Sequence, residues 1–319
     1  MPDFEARSEE FAAISSNASK CLLQADTSVC FGSECEYTMK FALPLSGNMS
    51  HVVSFKWGND IETIQKSEWP VSSFLGKRAR IGVAIPTTNT SAQPEMDDMR
   101  PFDVTNHVAR IAIDDDSLAN AEGFRKVIDD IRRSTPSAIR SLRHCGLNAI
   151  IAAVSPDGYW EGWPAHEMLL AELTDAGGGA AIVMSANAIL AALNALGGIR
   201  RIGLISPYLE LGDEPVSRFF TESGIDIVAT HGLGGRTPSN ISNVTAVDLR
   251  NAVLAVNRPE VEAIVQVGTN VPMAKFAAMA ESWIGKPVLA NNPVLYWHAL
   301  RCSGIGDAIP GHGLLYEAK

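Results

Sequence analysis

From Lys77 to the C-terminus, short apolar runs alternate with longer stretches of helical spacing, and each apolar run ends in small polar residues. An uninterrupted apolar run is the signature of a strand buried on both faces, and strands separated by a helix pair in parallel. The chain is thereby restricted to an α/β fold built on parallel sheets. Strands are expected over 80–85, 108–113, 149–154, 180–184, 201–205, 226–229, 263–267 and 287–289. Helices are expected over 124–133, 136–145, 165–175, 186–196, 215–223, 247–256, 272–284 and 292–302.

Two of these units echo each other. Ile81-Gly82-Val83-Ala84-Ile85-Pro86 and Ile202-Gly203-Leu204-Ile205-Ser206-Pro207 both run from strand through proline into a polar loop, which points to an internal duplication. The expected architecture is two pseudo-symmetric lobes, each a mostly parallel four-stranded sheet flanked by helices, with the active site between them. The first lobe is expected over 77–184 plus 290–319 and the second over 185–289. Residues 1–76 differ in texture, being rich in Ser, Glu and Asn. They read as an N-terminal extension carrying a hairpin, with strands over 37–43 and 49–57 around the turn Pro44-Leu45-Ser46-Gly47-Asn48.

Composition narrows the function. The chain has 319 residues, 46% of them hydrophobic, enough for about two domains of roughly 150 residues. A net charge of -10 with no Lys/Arg-rich block argues against nucleic acid as a partner. No stretch approaches the ~20 consecutive apolar residues of a membrane span, and the first residues are too acidic and polar for a secretory signal. The expectation is a cytoplasmic protein without membrane contact, and the five Asn-X-Ser/Thr sequons at Asn17, Asn48, Asn89, Asn240 and Asn243 are then chance matches. The five cysteines form no Cys-X-X-Cys pair and no ligand set for zinc. Cys145 and Cys302 are expected as small core residues. Assembly into a homo-oligomer is left open by the residues.

In parallel sheets, ligands bind outside the carboxyl ends of the strands. Four such ends converge: Pro86-Thr87-Thr88-Asn89-Thr90, Ser155-Pro156-Asp157-Gly158, Ser206-Pro207-Tyr208 and Gly268-Thr269-Asn270. All are rich in short hydrogen-bonding side chains, which hold an anion locally in an otherwise acidic protein. The same residue types also serve as helix caps and turns, so one loop alone would mean little. After the Ser155 loop comes Tyr159-Trp160-Glu161-Gly162-Trp163, whose aromatics either wall a pocket or staple the following helix, with core packing the slightly stronger reading. Gly177-Gly178-Gly179 precedes a strand and reads as a turn, not a phosphate loop.

Taken together, Ile81 to Thr90, Arg201 to Tyr208, Val265 to Asn270, and Gly285-Lys286-Pro287-Val288 leading to Trp297-His298-Ala299-Leu300-Arg301 resemble the aspartate/glutamate racemase superfamily, in its maleate isomerase and arylmalonate decarboxylase branch. The resemblance runs from about Arg80 to the C-terminus. It implies two lobes enclosing a small carboxylic acid, no metal or organic cofactor, and cysteines in the cleft acting as acid, base or nucleophile. Aligned to that pattern, the two cysteine positions fall on Ser155 and Gly268, so neither carries a thiol.

The substrate-binding set is then Pro86, Thr87, Thr88, Asn89, Thr90, Gly268, Thr269 and Asn270, and the catalytic candidates are Ser155, Asp157 and Tyr208. The set forms a cradle for an enediolate-like charge. A lone serine hydroxyl is a poor acid or base and needs a partner, for which Asp157 and His166 are nearest in sequence, with Glu161 in reserve. Decarboxylation of a malonate-like acid asks least of the missing thiols. The alternatives are cis-trans isomerisation or racemisation by other acid and base groups, a carboxylate-binding protein without turnover, and, with the weakest warrant, hydrolysis supported by Ser155 and Asp157.

Overall fold

The structure, a computed structural model, describes residues 74–155, 158–159 and 161–317, together with four backbone strands nearer the N-terminus. The chain divides into two compact units, Met1–Val71 and Ser72–Lys319. In the first unit, β1 (Gln24–Ala25), β2 (Cys30–Phe31) and β4 (Val52–Lys56) each pair antiparallel with β3 (Glu34–Lys40). The β3 to β4 register runs from Glu36 opposite Lys56 to Lys40 opposite Val52. The expected hairpin is therefore present as a strand pair, and its turn lies outside the described residues.

The second unit carries two sheets. The first orders its strands β6 (Val104–Ile111), β5 (Ala79–Pro86), β7 (Ala149–Ala152), β8 (Ala181–Val183). The second orders them β10 (Asp226–Gly232), β9 (Arg201–Ser206), β11 (Ala263–Gln266), β12 (Val288–Leu289). All pairs are parallel, and both sheets place their second strand outside their first. The repeated sequence unit thus corresponds to a repeated topology, with β5 and β9 in equivalent places. Gly203 in β9 is required by close approach, since a Cβ there would lie 2.8 Å from the backbone oxygen of Val256.

Nine α-helices connect and flank these strands among the described residues: α1 (Ala92–Asp98), α2 (Ala121–Leu142), α3 (Trp163–Gly177), α4 (Ser185–Ala195), α5 (Glu210–Glu222), α6 (Ala246–Val256), α7 (Ala274–Ile284), α8 (Asn291–Cys302) and α9 (Leu314–Glu317). Although α8 follows the last strand of the second sheet, it packs on β7, β8 and α4 of the first. Its N-terminal residues therefore stand between the two sheets' strand ends.

Three expectations change. The helices expected over 124–133 and 136–145 are one helix, α2, with Pro136 inside it. The proline removes one helical N–H, at a cost of about 3 kcal/mol. Phe124, Val127, Ile128, Ile131, Ile139 and Leu142 continue one buried face across it and offset that cost. The strand expected over 108–113 is Val104–Ile111, an edge strand whose half-exposed Thr105, Asn106 and His107 break the apolar run by which strands are recognised. Cys145 is only half-buried and Cys302 is exposed, so neither is a core residue.

Candidate active site

A small cavity lies at the strand ends of both sheets. All four strand-end loops reach it, through Pro86, Thr88, Asn89, Ser155, Tyr208, Gly268, Thr269 and Asn270. Among the described residues, the rest of its wall is Ile113, Leu118, Val127, Ile131, Val154, Pro238 and Ile241. Val127 and Ile131 stand one turn apart on α2. These wall residues carry no sequence signal beyond ordinary amphipathic spacing, because an aliphatic side chain facing a cavity looks the same in sequence as one facing the core.

The polar candidates separate into two groups. In the first, side chains are spent on holding the loops together. Asn89 Oδ1 accepts from the backbone N–H groups of Ser91 and Ala92 at 3.0 Å each, so Asn89 caps the start of α1. Its Nδ2 donates to Thr269 Oγ1 at 2.9 Å, and that hydroxyl donates to Ala153 O at 2.8 Å. Asn270 Oδ1 accepts from Thr90 N–H at 3.0 Å, while Asn270 Nδ2 donates to Pro238 O at 2.9 Å. Thr87 is exposed, with its hydroxyl on Ile113 O at 2.8 Å, and neither Thr87 nor Thr90 lines the cavity. The expected side-chain cradle is thus largely a lock between strand ends. Caps and anion sites use the same residue types, so composition does not separate the two roles.

In the second group, the Ser155 side chain is unspent. Ser155 is buried, and among the described residues its Oγ forms no hydrogen bond within normal geometry, with the Tyr208 phenol beside it. Burial drives the Tyr208 phenol far above its ordinary range, and the neighbouring Ser155 hydroxyl offsets part of that shift. Tyr208 is held by an edge-to-face contact with Phe124, ring centroids 5.3 Å apart, and its N–H donates to Ser206 Oγ at 3.0 Å. Gly268, which also lines the cavity, has φ of 100°, and a Cβ there would lie 2.6 Å from Pro207 Cγ. No side chain fits at that position, so it presents only backbone.

Neither His166 nor Glu161 makes a hydrogen bond to Ser155. Asp157 lies outside the described residues. His166 is buried beside Trp163 and Phe219, ring centroids 5.5 and 5.9 Å away, and neither ring nitrogen has a hydrogen-bond partner. Burial lowers its pKa, favouring the neutral ring. Glu161 pairs with Arg132 at 3.1 Å. Tyr159 is fully buried against Phe219 and Phe220, and Trp163 packs on Phe219; neither lines the cavity. Tyr159 and Trp163 therefore act as a staple, and Trp160 lies outside the described residues.

Residues 81–316 match the family model described as arylmalonate decarboxylase. The chain belongs to the arylmalonate decarboxylase family. Among curated relatives, the maleate isomerase of Geobacillus stearothermophilus is 24% identical over 262 residues, 77% of this chain and all of that protein. The arylmalonate decarboxylase of Bordetella bronchiseptica is 26% identical over 201 residues, 61% of this chain and 80% of that protein. Among solved structures, a cysteine-to-serine mutant of Nocardia farcinica maleate cis-trans isomerase, with a covalently bound succinylcysteine intermediate, superposes with a TM-score of 0.69 at 21% identity. It covers 76% of this chain and 99% of that one. Arylmalonate decarboxylase itself gives 0.60 at 21% identity, over 75% and 100%. Members of the arylmalonate decarboxylase family thus include an isomerase and a lyase, and the chain is an enzyme of this family.

Proposed function

We propose that the protein decarboxylates a small malonate-type acid without a cofactor. The observation that carries the proposal is the composition of the cavity: the Ser155 hydroxyl, unpartnered among the described residues, with the Tyr208 phenol beside it on one side, and an aliphatic wall on the other, with no charged side chain among the described lining residues. One carboxylate of the substrate takes hydrogen bonds from those hydroxyls. The other faces Leu118, Val127 and Ile131, where a carboxylate loses its hydration and neutral CO2 is favoured. As the bond to that carboxyl carbon breaks, its electron pair passes into the retained carboxylate, giving an enediolate that the donors stabilise. A proton from the Ser155 or Tyr208 hydroxyl then returns to the α-carbon, and solvent restores the donor.

This reading needs no thiol, and no cysteine lines the cavity among the described residues. A panel tests it: proton uptake with malonates, absorbance loss with maleate, and solvent deuterium exchange into amino acids. Turnover of a malonate, lost in Ser155→Ala, supports decarboxylation. Turnover of maleate alone assigns isomerisation instead. Thermal stabilisation by a carboxylate without turnover of any of these acids overturns the decarboxylase reading.

A further inference from the structure

A buried hydrogen-bond chain joins two of the strand ends that line the cavity, beside the direct bond from Thr269 Oγ1 to Ala153 O. Ser185, the first residue of α4, donates from Oγ to Val154 O at 3.3 Å, next to Ser155. Asn291, the first residue of α8, donates from Nδ2 to Ser185 Oγ at 3.0 Å. The Asn291 backbone N–H donates to Gln266 Oε1 at 3.1 Å, and Gln266 Nε2 donates to Gly268 O at 2.9 Å. Ser185, Asn291 and Gln266 are 2%, 0% and 1% exposed. Water therefore does not compete for these bonds, and each link fixes the next.

The chain is not what stability alone would select. Asn291 Oδ1 is buried without a partner, so the asparagine leaves an orphaned acceptor that a smaller residue would avoid. What it provides is a donor reaching the first sheet from the same residue whose backbone is tied to the second. We infer that Ser185, Asn291 and Gln266 are positioning residues that set the separation and orientation of Ser155 relative to the Gly268 turn. None of the three lines the cavity, so they act through Val154 and Gly268 and not on the substrate. The kinetic part of this inference rests on the decarboxylase reading; the mechanical part does not.

Hydrogen exchange on the ligand-free protein tests the mechanical part. In Ser185→Ala, faster exchange is expected both at Val154 and Ser155 and, across the cavity, at Gly268 to Asn270, with Ser185→Thr restoring both. A change confined to the Val154 side overturns the inference, because the residue is then a local tie. If Ser185→Ala does not fold, Gln266→Met is read in the opposite direction, with exchange at Val154 and Ser155 as the distant readout. In the turnover assay, either variant is expected to lower kcat about 10- to 100-fold with KM changed less than about twofold, as for a misplaced reacting group. An unchanged kcat in a variant that shows the distant exchange overturns the kinetic part alone. Absence of turnover in the unmodified protein overturns the decarboxylase reading, and leaves the exchange result to decide the mechanical part.

Discussion

The Asn89 side of the cavity and the Ser155 side are built from the same kinds of residue and do opposite things. Around Asn89, Thr269 and Asn270, hydroxyls and amides are consumed by caps and cross-loop bonds. At Ser155 a hydroxyl equally buried is left without a partner, beside the Tyr208 phenol. A polar strand-end loop is therefore not a ligand site by composition. It becomes one where the fold withholds an internal partner, because a buried polar group without one is costly and is retained where something else completes it.

The largest effect that would overturn this contrast is kinetic. Ser155→Ala and Tyr208→Phe are each expected to lower kcat by about 10²- to 10³-fold, the scale of losing one donor to a developing oxyanion. Ser155→Ala should leave the denaturation midpoint nearly unchanged, since no hydrogen bond is lost. A large loss of stability in Ser155→Ala would place Ser155 with the lock. Asn89→Leu should do the reverse, removing about 2 to 3 kcal/mol of stability in denaturant titration through its cap and its bond to Thr269.

A smaller effect comes from Glu95, whose carboxylate accepts from Ala274 N–H and Asn292 Nδ2 at 2.8 Å each. Burial holds its carboxyl above the ordinary carboxylate range, with the Asn292 bond offsetting part of the shift. Its folded pKa lies above the unfolded value, so its contribution is fully present below that unfolded value, about 4.3, and is lost as pH rises through the folded one. The difference in Tm between the unmodified protein and Glu95→Gln should therefore move against the unmodified protein from acid to neutral pH. A difference independent of pH would show that Glu95 does not titrate with folding.

The smallest effect is at the surface. The Arg78 guanidinium, at 2.5 Å, holds the Asp307 carboxyl below its ordinary range. That pair contributes above the unfolded carboxylate pKa and is lost as pH falls through the folded one. Asp307→Asn should be a slight destabilisation near neutral pH that fades in acid and in salt.

Much of the fold is legible in the order of residues. Strands such as Ala79–Pro86 and Arg201–Ser206 are buried on both faces, and that burial imposes the continuous apolar run that marks them. Edge strand β6 is harder to place because one of its faces is wetter. Helix α2 reads as two because local proline preference says nothing of the tertiary face that spans Pro136. At the site, the convergence of four loops is legible. The division between locked and unspent side chains is not, since Asn89 and Ser155 differ only in what the folded chain sets beside them.

Residue order alone thus dictates the parallel α/β architecture, its internal echo, and a polar rim around one cleft, because periodicity and strand-end composition are local properties of the chain. Folding settles the rest: that the Ser155 hydroxyl is left without a partner among the described residues, that an aliphatic wall from α2 and two distant loops completes the cavity, and that Ser185, Asn291 and Gln266 tie two of its strand ends. Those outcomes depend on hydrogen bonds between residues as far apart as Ser185 and Asn291, whose pairing exists only once both sheets are in place.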